Sequence, residues 1–287
     1  MNRFLLAAMA TIGILIALAV QGRVAAEPQS SDASKSANTA ANENARSPKS
    51  ASEAAETPKP GTPKPGRSTF DKTDQYDVQR IEGWKVLVNK KFRPATPDVY
   101  EKTIKQLSVQ LYNITRIVPE PALGKIRQVP IWVELFEKHT PCMAYHPDAG
   151  WLTEHGMNPD KARCVELANA RNFLIWTLDQ PWMVLHELSH GYHDRFLPDG
   201  YENAEVRAAY KHAMDEKLYD AVLRRGFKVE RAYAATNPME YFAESSEAFF
   251  GTNDFYPFVN AELRKHDPVG YDMERHAWGI TTEDFPR

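Results

Sequence analysis

His186-Glu187-Leu188-Ser189-His190 is the stretch that decides how this chain is read. Asp179 and Pro181 stand just before it as helix-start signals, so the segment is expected to be a mostly buried helix running to about Tyr192. At about 100° per residue, His186 and His190 fall roughly 40° apart on one face, and both imidazoles can reach one ion. Glu187 is rotated away from that pair, where it can address a water beside the ion. In a chain with nine histidines this spacing arises somewhere by chance with a probability of about 0.02. A helix with two hydrogen-bonded histidines therefore competes with a metal site until a third ligand is found.

A catalytic zinc takes three protein ligands and keeps one position open. His193 is on the same face, one turn on, but on a straight helix it points away from an ion shared by His186 and His190. It serves as a ligand only if Gly191 bends the helix, and otherwise reads as an outer or surface histidine. Asp254, in Gly251-Thr252-Asn253-Asp254, has the look of a ligand motif whose following residues are out of place. Glu240-Tyr241-Phe242-Ala243-Glu244 is the stronger candidate. Its two carboxylates share a helix face beside an apolar pair, and buried carboxylates need a partner such as a metal with its histidines. A capping or salt-bridge role for either glutamate competes with that reading.

These two segments carry a resemblance. His186 to His190 fits the zincin pattern H-E-x-x-H, and Asn237-Pro238-Met239-Glu240-Tyr241-Phe242-Ala243-Glu244 resembles the second motif of the gluzincin metallopeptidases related to the anthrax lethal factor catalytic domain. The likeness covers residues 182 to 250 and fades upstream. It implies an α+β, zincin-like metallopeptidase domain, with one helix carrying the histidines and a second carrying the glutamate ligand. It further implies Zn2+ held by His186, His190 and Glu240, with Glu244 supporting the site from behind the ligands. Tyr233, seven residues before Glu240, takes the place of the family's tyrosine that assists the reacting carbonyl. For Tyr233 a packed or surface role is the alternative.

The chemistry expected of such a set is hydrolysis of a peptide or protein substrate, with Glu187 as general base and then proton donor to the leaving amine. Two other classes stay open. A non-catalytic zinc-binding module would have no use for Glu187, and a zinc hydrolase could act on a non-peptide amide such as a cell-wall component.

Outward from the motif, composition divides the chain. No aromatic residue and no cysteine lies between Phe4 and Phe70, so the folded body is expected over residues 69–287, long enough for one sizeable core. Residues 1–26 read as a signal peptide, with Arg3, the apolar run 4–20, and Val24-Ala25-Ala26 before Glu27. The product would be secreted or periplasmic; an uncleaved anchor over 4–20 is the alternative, and only then is a membrane a partner. Residues 27–68 form a Pro-, Ala- and Ser-rich linker holding the tandem repeat Thr57 to Gly61 and Thr62 to Gly66, expected to be an extended spacer or a tail without a role. The net charge of −3, without a basic tract interleaved with aromatics, gives nucleic acid no footing as a partner. Cys142 and Cys164, the only two cysteines of an exported chain, are expected to form a disulfide.

The body itself reads as mixed α and β. A hairpin or bent strand is expected over Tyr76 to Val88, and a helix from Thr96-Pro97-Asp98 to about Ile117. Strands are expected over Val129 to Phe136 and Phe173 to Leu178, and helices over Ala204 to Arg224 and Met239 to Phe250.

Overall fold

A computed structural model of the chain describes residues 70–226 and 228–281, and the fold is α+β. The expected signal peptide and linker, residues 1–26 and 27–68, lie outside the described residues. Among those described, no helix is long and apolar enough to cross a membrane.

The chain opens with the hairpin of β1 (Tyr76–Ile81) and β2 (Trp84–Asn89). Its two turn residues, Glu82 and Gly83, have φ of 50° and 97°, the left-handed pair that matches the twist of the flanking strands. After the short α1 (Phe92–Ala95) comes α2 (Pro97–Ile117), started by Pro97 and burying Leu107, Leu111 and Ile114 as one stripe. Then follow α3 (Ala122–Ile126), β3 (Ile131–Val133), β4 (Met143–His146), α4 (Ala149–Glu154) and β5 (Cys164–Leu167). The strands make one sheet in the order β1-β2-β3-β5-β4. β2, β3 and β5 run parallel, while β1 and β4 are antiparallel at the two edges.

Register assigns the two faces. Val86, Ile131, Val165 and Tyr145 form one row across the sheet, and Val88, Val133, Leu167 and Met143 another. Both rows join the main core with α2 and with α6 (Met183–Phe196). The intervening row, Leu87, Trp132, Glu166 and Ala144, faces the other way. The residues between the two cysteines contribute to that second face. Lys161 reaches in from them to bond Glu134 at 2.8 Å and also Glu166, and His146 Nε2 lies 2.7 Å from Glu166. Charges this buried persist because each has an opposite charge or a hydrogen bond beside it.

The remaining elements are α5 (Ala170–Trp176), α7 (Ala204–Asp215), the small hairpin of β6 (Val222–Arg224) and β7 (Lys228–Glu230), α8 (Pro238–Phe250), α9 (Asn260–His266) and α10 (Pro268–Ala277). Four expectations are corrected here. The apolar run from Phe173 is helical, because Asn169 caps it by accepting from Asn172 N; Phe173 is buried, while Ile175 and Leu178 face solvent. α7 stops at Asp215, where Lys217 turns left-handed at φ 58°, and the chain continues into β6. β3 is shorter than the apolar run that suggested it. The fourth concerns the cysteines.

Cys142 and Cys164 are free. Cys142 O accepts from Ala168 N, which sets it level with Ala168, just past β5 and four residues on from Cys164. That separation is roughly 13 Å, about twice the Cα–Cα reach of a disulfide. Cys142 Sγ instead packs 3.4 Å from Met183 Sδ, and Cys164 packs with Leu87 and Trp132 in a separate cluster. The pair thus lends no support to export.

Candidate metal centre

The site is made by two packed helices and one edge strand. α6 is unbroken through Gly191, so that glycine does not bend it. It allows close approach, since a Cβ there would meet Val129 Cγ2 at 3.0 Å and Tyr145 Cε2 at 3.1 Å. α8 begins at Pro238 after Asn237, whose side chain accepts from Glu240 N at 2.9 Å. The end of α8 meets the start of α6, where a Cβ on Gly251 would fall 2.1 Å from the Trp182 ring. Antiparallel packing follows, and it brings Glu240 in the first turn of α8 to the middle of α6.

The geometry at that crossing is a triangle. His186 Nε2 lies 3.2 Å from His190 Nε2 and 3.2 Å from Glu240 Oε2, and His190 Nε2 lies 3.3 Å from the same oxygen. All three residues are buried. Tetrahedral zinc with bonds of about 2.0–2.1 Å holds its ligand atoms roughly 3.3 Å apart, so the donor set and its spacing fit such an ion. The three residues form a group that could hold a metal.

The electrostatics point the same way. Burial opposes charge on His186, yet the Glu240 and Glu247 carboxylates outweigh it and push its pKa up to about 10. Burial likewise opposes charge on Glu240, but His190 and His186 hold its carboxyl well below the usual carboxylate range. The cluster favours positive charge at its centre.

Glu187 is held by the edge strand. Cys142 accepts from Ala168, just past β5, so alternate residues turn their backbone groups away from β5, and Tyr145 N–H donates to Glu187 Oε2 at 2.8 Å. Tyr145 is fixed at its other end by donating to Asp194 Oδ2 at 2.6 Å. Tyr233 lies just before α8 and donates to Glu240 Oε1 at 3.2 Å. His186, His190, Glu240, Glu187 and Tyr233 are therefore brought together.

Behind the ligands, a second glutamate stands beside the expected Glu244. His186 Nδ1 is 2.7 Å from Glu247 Oε1 and 3.9 Å from Glu244 Oε1, so Glu247 and not Glu244 makes the direct contact. The available signal was a third glutamate on the same α8 face, seven residues after Glu240. His193 is neither a ligand nor a surface residue. It is fully buried, edge-on to Tyr201 at 5.1 Å and 5.0 Å from Phe242, and burial pushes its pKa down to about 3. Asp254 is engaged elsewhere, accepting from Arg224 Nε at 3.2 Å and Gln180 Nε2 at 3.3 Å. His146 lies on the second face of the sheet, against Glu166.

Compared with known proteins, the chain matches no family model, no curated protein and no solved structure.

Proposed function

We propose that this chain is a zinc-dependent metallopeptidase of the zincin type. The observation that carries the reading is the triangle of His186 Nε2, His190 Nε2 and Glu240 Oε2, with sides of 3.2, 3.2 and 3.3 Å, beside a glutamate that is not part of it. Those three residues would hold the ion, which when bound supplies Lewis acidity toward a water and a substrate carbonyl. The chain's own residues do the rest. Glu187 accepts the proton of the attacking water at its carboxylate and delivers it to the leaving amine. Tyr145 N–H keeps that carboxylate oriented. The Tyr233 hydroxyl, bonded to Glu240, would turn to the oxygen of the reacting carbonyl. Export rests on residues 1–26 alone. The test is cleavage of a peptide library by the purified chain with and without a chelator. Cleavage abolished by the chelator and restored by zinc is expected; zinc binding without cleavage of any peptide would favour the non-catalytic module or a different amide.

A further inference from the structure

The His186 imidazole is clamped at both ends by α8. Its Nε2 faces Glu240 and its Nδ1 faces Glu247, two turns and roughly 10.5 Å further along the helix axis. On α8 Glu247 falls about 20° from Glu240 around the helix, closer than the roughly 40° of Glu244. The short Nδ1 contact selects the tautomer that a metal would need. When Nε2 gives its lone pair to an ion beside His190 and Glu240, the proton of the neutral ring sits on Nδ1, where Glu247 Oε1 at 2.7 Å accepts it.

Glu247 is 2 % exposed, and its Oε2 is buried without a hydrogen-bond partner among the described residues. Its bond to His186 is thus its main stabilising contact. A carboxylate buried this deeply is tolerable when it is joined through an imidazole to positive charge beyond it. We infer that Glu247, and not the motif glutamate Glu244, is the positioning residue that fixes the tautomer and ring pose of His186 for metal binding. This rests on the reading of the site as a metal centre. It departs from the motif spacing by one helical turn, because the nearer contact is made at the third glutamate.

The experiment measures zinc affinity of the full chain by chelator competition, with zinc per chain counted in parallel and no substrate involved. Glu247→Ala is expected to bind zinc about 10–100-fold more weakly, the usual cost of losing such a partner. Glu247→Gln, which keeps an oxygen acceptor, should recover part of that loss, and Glu244→Ala should stay within about threefold of the parent. If Glu247→Ala does not fold, the comparison of Glu247→Gln with Glu244→Gln decides, with the larger loss expected at 247. Equal affinity in the parent and both Glu247 variants would overturn the assignment, as would a larger loss at Glu244. Two zinc ions per chain would overturn it too, since Nδ1 would then be a ligand and not a donor to Glu247. A parent chain that takes up no zinc sinks the metal-centre reading itself, a result distinct from all the others.

Discussion

Replacing Glu187 by glutamine removes basicity and little else. The side chain is 5 % exposed and its Oε2 accepts the Tyr145 N–H at 2.8 Å. Glutamine is isosteric, and with its carbonyl oxygen turned to Tyr145 that hydrogen bond survives. Turned the other way, two donors face each other and about 1–3 kcal/mol of stability is lost, so the native orientation is favoured and the melting temperature should hardly move. Glu187 is not one of the three triangle residues, so zinc per chain should be unchanged. What is lost is proton transfer in the transition state, worth about 10²- to 10⁴-fold, or roughly 3–5 kcal/mol of barrier. The assay is kcat/KM on a peptide found in the library screen, with zinc content and thermal unfolding measured on the same preparation. Activity within about tenfold of the parent, with zinc retained, would refute the role of Glu187 as the base.

Three further outcomes are expected. Glu240→Ala should lose the metal, while His193→Phe keeps it, because the His193 ring is buried among aromatics with neither nitrogen bonded among the described residues; metal retained without Glu240 would reject that ligand. Tyr233→Phe should lower kcat more than it raises KM, and an unchanged kcat would reduce Tyr233 to support of Glu240. Glu274 is fully buried against Ser245, Ser246 and Trp278, all neutral donors, and burial pushes its pKa up to about 8 against an ordinary 4.5. The native state then holds a proton that the unfolded chain releases above 4.5, so stability should fall as pH rises from about 5 to 8. Glu274→Gln should flatten that slope in thermal unfolding, and a slope identical to the parent's would remove Glu274 as its cause.

The sequence alone carried the two helices of the site, because His186, His190 and Glu240 sit on regular helices whose periodicity and start signals are local. Asp179 and Pro181 marked the approach to the first, and the 3.6-residue turn put each pair on one face; the Asn237 cap and Pro238 that open α8 became evident in the structure. The α2 helix and the first hairpin were legible for the same reason. Where neighbours in space decide, local reading failed. Phe173 to Leu178 is apolar enough for a strand, but a cap at Asn169 and burial of one side only made it a helix. Cys142 and Cys164 suited a disulfide by count, yet the β4–β5 register sets Cys142 opposite Ala168, four residues beyond Cys164. The choice of Glu247 over Glu244 depended on where α8 sits along α6, which involves the close approach of Gly251 to Trp182 and is invisible in the spacing of glutamates. A helix fixes the angle of its side chains, whereas only packing fixes which of two glutamates, one turn apart, comes within 2.7 Å of an imidazole nitrogen.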